Sequence, residues 1–582
     1  MSNARASGSH TPGQAQVWRG ACVVALLTLV VFLPALQGEF VSWDDNLNFV
    51  ENASYRGLGV AQLRWMWTTF HLGHYTPLTW MSLGLDYLLW GMNPRGYHAT
   101  SIALHAMNAT LLYFIALRVY AAASGRPARV ASAAVAALFF ALHPLRVESV
   151  AWITERRDVL SLFFALATVL CYLRYAQHAA ATRRWYALAI IAFAAALLSK
   201  ATAVTIPGAL LVLNVYPLRR LGGPGGWWTE EARRVWLELI PFAVLAAATA
   251  ALSLVALQPI RQLTPAGKVV VSAYSLMFYL IKTLLPLDLA PLYEMHLVRP
   301  ASAVYVASCA AVAALAIAIW RARMRYPAVT AATVAFVLIV LPLLGVVQNG
   351  PQIVADRYTY HASPALALLA GTFIPDDGRA RARLGWASLV LVAISALTWM
   401  QIRVWRTSQT VWSRVLRIDS TSSIGNNNYG AVLAQQGRSA DAIEYYRRAI
   451  AARPSYADAH NNLGLELALQ EKPDEAIAHY RRALEIKSDY VEAEINWANA
   501  LLLQQRFDSA VAHYRHAAQL GPNHAGVYLN WGVAMARQNR LREAVQLFER
   551  AADLDPSLPE ARMYLGQALE DLRRQGPNPP SR

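Results

Sequence analysis

The chain has 582 residues, of which 56% are hydrophobic and only 15% charged, a balance that excludes an ordinary soluble protein and points to a multi-span membrane protein. Its formal charge of +16 does not indicate a nucleic-acid partner, because the arginines stand in short clusters between apolar runs, as in Arg183/Arg184, Arg219/Arg220 and Arg321/Arg323/Arg325. That is the pattern of cytoplasmic loops between membrane spans.

Residues 1–17, rich in Ser, Gly and Ala, read as a disordered cytoplasmic tail. The apolar run Trp18 to Leu36 follows; it lacks a small-residue cleavage pattern and is expected to stay as the first span and anchor. Directly after it comes Phe40-Val41-Ser42-Trp43-Asp44-Asp45-Asn46. Two adjacent carboxylates at a membrane surface perturb each other's titration, which suits them to proton transfer or to holding a metal ion. The rest of the first outer loop, 37–98, carries Trp65, Trp67, Trp80 and Trp90 and reads as amphipathic segments lying flat among lipid headgroups.

Further apolar runs long enough to span fall at 99–119, 128–143, 158–176, 185–199, 201–217, 235–257, 301–320, 327–347, 358–374 and 384–402. The run 268–285 contains Lys282 and ends in Pro286-Leu287-Asp288; crossing there would strand two arginine clusters outside. It reads as an interfacial or re-entrant helix, which leaves eleven spans. Under that topology Asp44/Asp45, the loop His143 to Asp158, Lys200, the segment Asp288 to His296 and Asp356-Arg357-Tyr358 emerge on one non-cytoplasmic face. Cys22, Cys171 and Cys309 lie inside apolar runs, so neither a disulfide framework nor a thiolate metal site is expected.

Ionisable groups near or inside spans are costly and therefore functional candidates. The densest set is His143-Pro144-Leu145-Arg146-Val147-Glu148 followed by Glu155-Arg156-Arg157-Asp158, where acids, bases and guanidiniums suited to phosphate gather within one loop. Glu155 and Asp158 are also explained as partners of Arg156 and Arg157 at a helix start, where acids complement the dipole. His98, after Tyr97, and His74 in His74-Tyr75-Thr76-Pro77 add polar groups to the outer loop. No spacing matches zinc, and Asp44 and Asp45 alone offer too few oxygens for a hard cation.

From about 406 the composition turns polar and a 34-residue period appears. Asn428-Tyr429-Gly430, Asn462-Leu463-Gly464, Asn496-Trp497-Ala498 and Asn530-Trp531-Gly532 keep it, as do Ala442, Ala476, Ala510 and Ala544, while Pro454, Pro522 and Pro556 mark turns. This is the tetratricopeptide period: four helix pairs over 406–573, an initial half repeat around Trp405 to Arg417, a polar capping helix at about 560–573 and a short disordered tail, 574–582. Asn428, Asn462, Asn496 and Asn530 recur on the inner face, where amides can donate to and accept from an extended acceptor peptide whatever its sequence.

The order Asp44-Asp45, Tyr75-Thr76-Pro77-Leu78-Thr79, Asn93-Pro94-Arg95-Gly96-Tyr97-His98, His143-Pro144 with Glu148, Arg156-Arg157-Asp158-Val159-Leu160-Ser161, Ser199-Lys200 and carboxy-terminal repeats resembles the transmembrane and tetratricopeptide-repeat-containing O-mannosyltransferases and their bacterial relatives. The resemblance implies an all-α fold: a GT-C-like polytopic membrane domain over 18–405 followed by an α-solenoid. It implies a bacterial inner-membrane glycosyltransferase with site and repeats on the periplasmic side. A polyprenyl-phosphate sugar would be the donor, membrane lipid its surroundings and a protein hydroxyl the acceptor. By position, Asp44 and Asp45 would be catalytic, and Arg156, Lys200 and His143 would face the donor phosphate. As ionisable residues beside the spans, Glu148, Asp158, His98 and Arg357 are further site candidates, with a divalent cation on Asp44 and Asp45 as an optional cofactor. Thr76 stands where animal members commonly have Arg, and Arg157 replaces a small residue, so the sugar need not be mannose. The competing readings are a GT-C enzyme with a lipid or glycan acceptor, and a non-catalytic membrane-anchored repeat scaffold.

Overall fold

A computed structural model describes residues 13–126, 129–177, 182–222, 226–256, 263–296, 298–345, 350–374, 380–556 and 558–575. Most of the two expected tails lies outside these residues. The described chain divides into two compact units, 1–418 and 419–582.

The first unit is a helical assembly. Helix α1 (Gln14–Phe32) leads into the loop 37–98, which holds α2 (Val60–Thr68) and α3 (Pro77–Trp90), and α4 (Pro94–Ser124) follows. Next come α5 (Val130–Ala141), α6 (Val147–Ala151), α7 (Arg156–Gln177), α8 (Thr182–Ser199) and α9 (Ile206–Val215). The unit continues through α10 (Glu230–Ala256), α11 (Pro265–Leu284), α12 (Ala303–Ala322), α13 (Pro327–Val340), α14 (Ser363–Gly371) and α15 (Ala380–Val404), and ends with α16 (Ser408–Ile418). Two short antiparallel strands, Tyr293–Glu294 and Gln352–Val354, tie together the segments that precede α12 and α14.

Among the described residues seven helices are long and apolar enough to cross a membrane, or eight if the pair Val130–Ala141 and Pro144–Ala151, bent by 56°, is one span. The expectation of eleven is not reproduced, and proline is the physical reason in several places. Pro144 breaks the run 128–143, and Pro342 ends the run 327–347 after the 14-residue α13. The run 201–217 splits into a tight turn, Ala201–Thr205, and the ten-residue α9; the run 358–374 keeps only the nine-residue α14. Conversely the run 268–285, expected to be interfacial or re-entrant, forms most of one unbroken 20-residue helix, Pro265–Leu284, among the seven.

The loop 37–98 builds a core of its own from Phe49, Tyr55, Met66, Trp80, Leu83 and Tyr97 with Ile153. Trp80 is buried and meets Trp65 edge-on at 5.1 Å, whereas Trp67 and Trp90 stay exposed. Gly84 permits this packing, since a Cβ there would stand 2.6 Å from the carbonyl oxygen of Gly57.

The second unit stacks helix pairs α17/α18 (Ser423–Gln435, Ser439–Ala452), α19/α20 (Ala457–Leu469, Pro473–Ile486), α21/α22 (Val491–Leu503, Phe507–Leu520) and α23/α24 (Ala525–Arg537, Leu541–Leu554), capped by α25 (Pro559–Arg574). The repeated small residue has a packing cause: a Cβ on Gly430, Gly464 or Gly532 would reach within 2.8, 2.6 or 2.5 Å of the ring of Tyr446, Tyr480 or Phe548. Those rings and the period alanines form one continuous core. The expected half repeat is not part of it; α16 packs into the first unit, where Trp412 meets Trp43 at 5.0 Å and Arg414 Nε donates to Leu289 O.

Candidate active site

The polar cluster read from the sequence is not a surface loop. Between α5 and α7 the chain folds inward through short helical turns, and every residue from 141 to 156 is buried. A buried charge must be paired, and the partners arrive from three distant segments.

Asp45 is the latch. Its Oδ2 accepts from Val41 N at 2.9 Å, and its Oδ1 accepts from Thr154 N at 3.1 Å and Thr154 Oγ1 at 2.6 Å. Asn48 Nδ2 donates in turn to Thr154 Oγ1 at 3.0 Å. Trp43 adds an aromatic clamp: it stacks on Trp152 at 4.8 Å, which stacks on Trp405 at 5.4 Å. The acidic loop is thereby bound to the turn that precedes α7 and to the end of α15.

Burial pushes Asp45 from 3.8 up to about 7, against the three hydrogen bonds that favour its ionised form. A raised acid stabilises the fold most below its unfolded value, and that contribution is lost as pH rises through its folded one. Thermal unfolding in detergent is therefore expected to move to lower temperature from pH 5 to pH 8, and Asp45→Asn to flatten that slope.

Asp44, half-buried, is free of those bonds. Burial raises it, while the charges of Arg157 and Arg357 pull it down. Around it lies a charged lattice. Glu155 binds Arg157 Nη2 at 2.8 Å, Lys200 Nζ at 2.8 Å and Arg357 Nε at 3.2 Å. Lys200 also bonds Asp158 Oδ1 at 2.8 Å, and Arg357 pairs closely with Glu148 while its backbone N–H donates to Glu148 Oε2 at 2.8 Å. His74 faces Arg157 and Lys200; burial, reinforced by their charges, lowers it to about 3, so it stands there as a neutral imidazole.

Of the residues expected at the site, Asp44, Asp45, Glu148, Asp158, Lys200 and Arg357 are brought together. Three are occupied elsewhere. Arg156, expected at the phosphate, is wholly buried and committed to Asp86 at 2.8 Å, Ser101 Oγ at 2.9 Å, Ser82 Oγ at 3.1 Å and Tyr97 O at 2.6 Å. His143 caps the turn at Pro144 by accepting from Leu145 N, and its Nε2 lies 3.1 Å from Thr283 O. His98 is buried under Gly38, where a Cβ would stand 2.7 Å from its Nε2. Arg157, Glu155 and His74 take part instead. The helical period carried the missed signal: successive residues in a helix differ by about 100° in direction, so Arg156 and Arg157 cannot serve one pocket.

An apolar groove of about 150 Å³ runs between α4, α7, α9, α13 and α14, lined by Leu112, Leu162, Ala209, Ala331 and Leu368 with His361 among them. His361 Nδ1 lies 3.6 Å from Asp158 Oδ1. Among the described residues no three His, Cys, Asp or Glu side chains converge as a metal site.

In the second unit the repeat asparagines bond one another. Asn496 Nδ2 donates to Asn461 Oδ1 at 3.0 Å, Asn461 Nδ2 to Asn462 at 3.5 Å, Asn462 Nδ2 to Asn427 Oδ1 at 3.1 Å and Asn427 Nδ2 to Asn428 at 3.0 Å. Among the described residues this relay does not extend to Asn530.

The tetratricopeptide repeat model matches residues 430–491, 495–559 and 529–575. The tetratricopeptide protein YrrB, a solved structure, is 21% identical with a TM-score of 0.24, covering 31% of this chain and 88% of that one. Protein O-mannosyl-transferase Tmtc1 of Drosophila melanogaster is 34% identical over 196 residues, 32% of this chain and 21% of that protein. TMTC1 of Homo sapiens is 30% identical over 218 residues, 34% of this chain and 24% of its own length. TMTC4 of Homo sapiens is 29% identical over 214 residues, 33% and 29% of the two chains. The matched stretch thus spans between about a fifth and three-tenths of these relatives. This is an all-α chain with several membrane-crossing helices and carboxy-terminal tetratricopeptide repeats, and over about a third of its length it is similar to protein O-mannosyl-transferases.

Proposed function

We propose that the chain is a GT-C-type glycosyltransferase that moves a sugar from a polyprenyl-phosphate donor to Ser or Thr hydroxyls of a protein, on the periplasmic face of a bacterial inner membrane. The observation that carries this reading is a half-buried carboxylate, Asp44, under the influence of two guanidiniums, Arg157 and Arg357, in a lattice that includes Lys200. Asp44 takes the proton of the acceptor hydroxyl as its oxygen attacks the anomeric carbon. The bond from that carbon to the phosphate oxygen breaks, its electron pair stays on the phosphate, and Arg157, Lys200 and Arg357 stabilise the charge that develops there. The apolar groove suits the polyprenyl chain, and the repeats hold the acceptor polypeptide.

Asp45 has no role toward a cation in this scheme. Both of its oxygens are taken by Val41 and Thr154, so the pair does not fit a resident divalent metal and no step is routed through one.

Membranes carrying the full chain, incubated with radiolabelled polyprenyl-phosphate sugars and a mixture of acceptor proteins, are expected to place label on protein in an alkali-labile linkage. Label on lipid or glycan alone would shift the acceptor class. Label on nothing, across several sugars, would leave the repeat scaffold as the better reading.

A further inference from the structure

Glu155 stands in the turn Ile153–Glu155, between Thr154, which latches Asp45, and the first residues of α7. Taken locally it is one half of an ion pair with Arg157. The fold gives it three cations from three separate segments. Its Oε1 lies 2.8 Å from Arg157 Nη2 and 3.2 Å from Arg357 Nε, and its Oε2 lies 3.2 Å from Arg157 Nε and 2.8 Å from Lys200 Nζ. The carboxylate is fully buried, while Arg157, Lys200 and Arg357 keep 16, 14 and 9% of their side chains exposed.

The partners differ in what else holds them. Lys200 has Asp158 and Arg357 has Glu148 as a second acid, but among the described residues Arg157 has no second acid within ion-pair distance. Its Nη1 and the Nη2 of Arg357 have no protein partner among the described residues. Three cations this close repel one another when solvent is excluded, and among the described residues Glu155 is the carboxylate that all three share.

Building on the donor-phosphate pocket proposed above, we propose that Glu155 is its positioning residue: the carboxylate gathers Arg157, Lys200 and Arg357 so that their remaining N–H groups converge on the lipid-linked phosphate. It touches neither donor nor acceptor. Its effect is felt through the geometry of the three cations, which selects for donor affinity rather than for the acceptor.

The test uses purified full-length protein in detergent, with Glu155→Gln and Glu155→Asp. The readouts are binding of sugar-free polyprenyl phosphate, the KM of each substrate and kcat. Glu155→Gln is expected to weaken polyprenyl phosphate binding and raise the donor KM by about 30-fold, the scale of losing one partner of a buried charged pair, with the acceptor KM unchanged. Glu155→Asp, which restores the charge, is expected to recover most of that loss. Unchanged donor KM in a folded Glu155→Gln overturns the proposal. Tighter phosphate binding also overturns it, because Glu155 would then be a competitor for the three cations. If Glu155→Gln does not fold, Arg157→Gln decides: it removes the cation that Glu155 holds without a second acid, and polyprenyl phosphate binding and donor KM equal to wild type refute the proposal. Failure of the functional reading looks different, since wild type itself would then neither bind polyprenyl phosphate nor transfer sugar.

Discussion

Asparagine at position 44 is expected to lower sugar transfer by about 10²- to 10⁴-fold, the usual worth of a positioned general base. The amide keeps the shape of the side chain but cannot take a proton from the acceptor hydroxyl. Asp44 holds the acidic end of the pocket without the hydrogen bonds that fix Asp45, so its replacement leaves the latch from Asp45 to Thr154 in place. The loss should therefore fall on kcat, with the protein still extracted and melting as wild type does. A matched assay of wild type and Asp44→Asn at saturating donor checks it. Equal rates would remove Asp44 from the chemistry.

The largest loss of stability is expected from Asp86→Ala. This substitution strips the only ion partner that Arg156 has among the described residues while leaving its guanidinium wholly buried among Ser82, Ser101 and Tyr97. Breaking a buried pair on one side costs about 3–5 kcal/mol, because the charge left behind is uncompensated. Replacing both partners with apolar residues of similar volume, as in Asp86→Leu with Arg156→Met, should recover much of that loss. Thermal unfolding of the two variants in the same detergent tests the claim. If Asp86→Ala melts as wild type does, Arg156 is not held by this pair and its assignment away from the pocket falls.

Several local features are legible in the sequence. The run Trp18 to Leu36 spans Gln14–Gln37 in the structure, and the 34-residue period unfolds into four helix pairs with a cap at Pro559–Arg574. Hydrophobic run length and helical period are properties of neighbouring residues, so the chain displays them directly. Asp44 and Asp45 were picked out for the same reason, as adjacent carboxylates beside an apolar run. The span count failed where a run's length was read without its breaks: His143-Pro144 and Pro342 interrupt stretches that are apolar enough on average.

The division of labour was beyond the sequence. Arg156 and Arg157 are chemically the same residue one position apart, and only the direction in which α7 leaves the turn sends one to Asp86 and the other to Glu155. Asp44 and Asp45 are likewise separated by their surroundings alone: Thr154 and Val41 claim one, and the other faces the guanidiniums. Lys200 and Arg357 stand 45 and 202 positions from Glu155, and no local pattern could join them. By itself the sequence determined which segments are apolar, helical or repeated, because those follow from short-range periodicity. Tertiary structure decided which charges meet, because a buried ion is tolerated only where folding brings a partner to it.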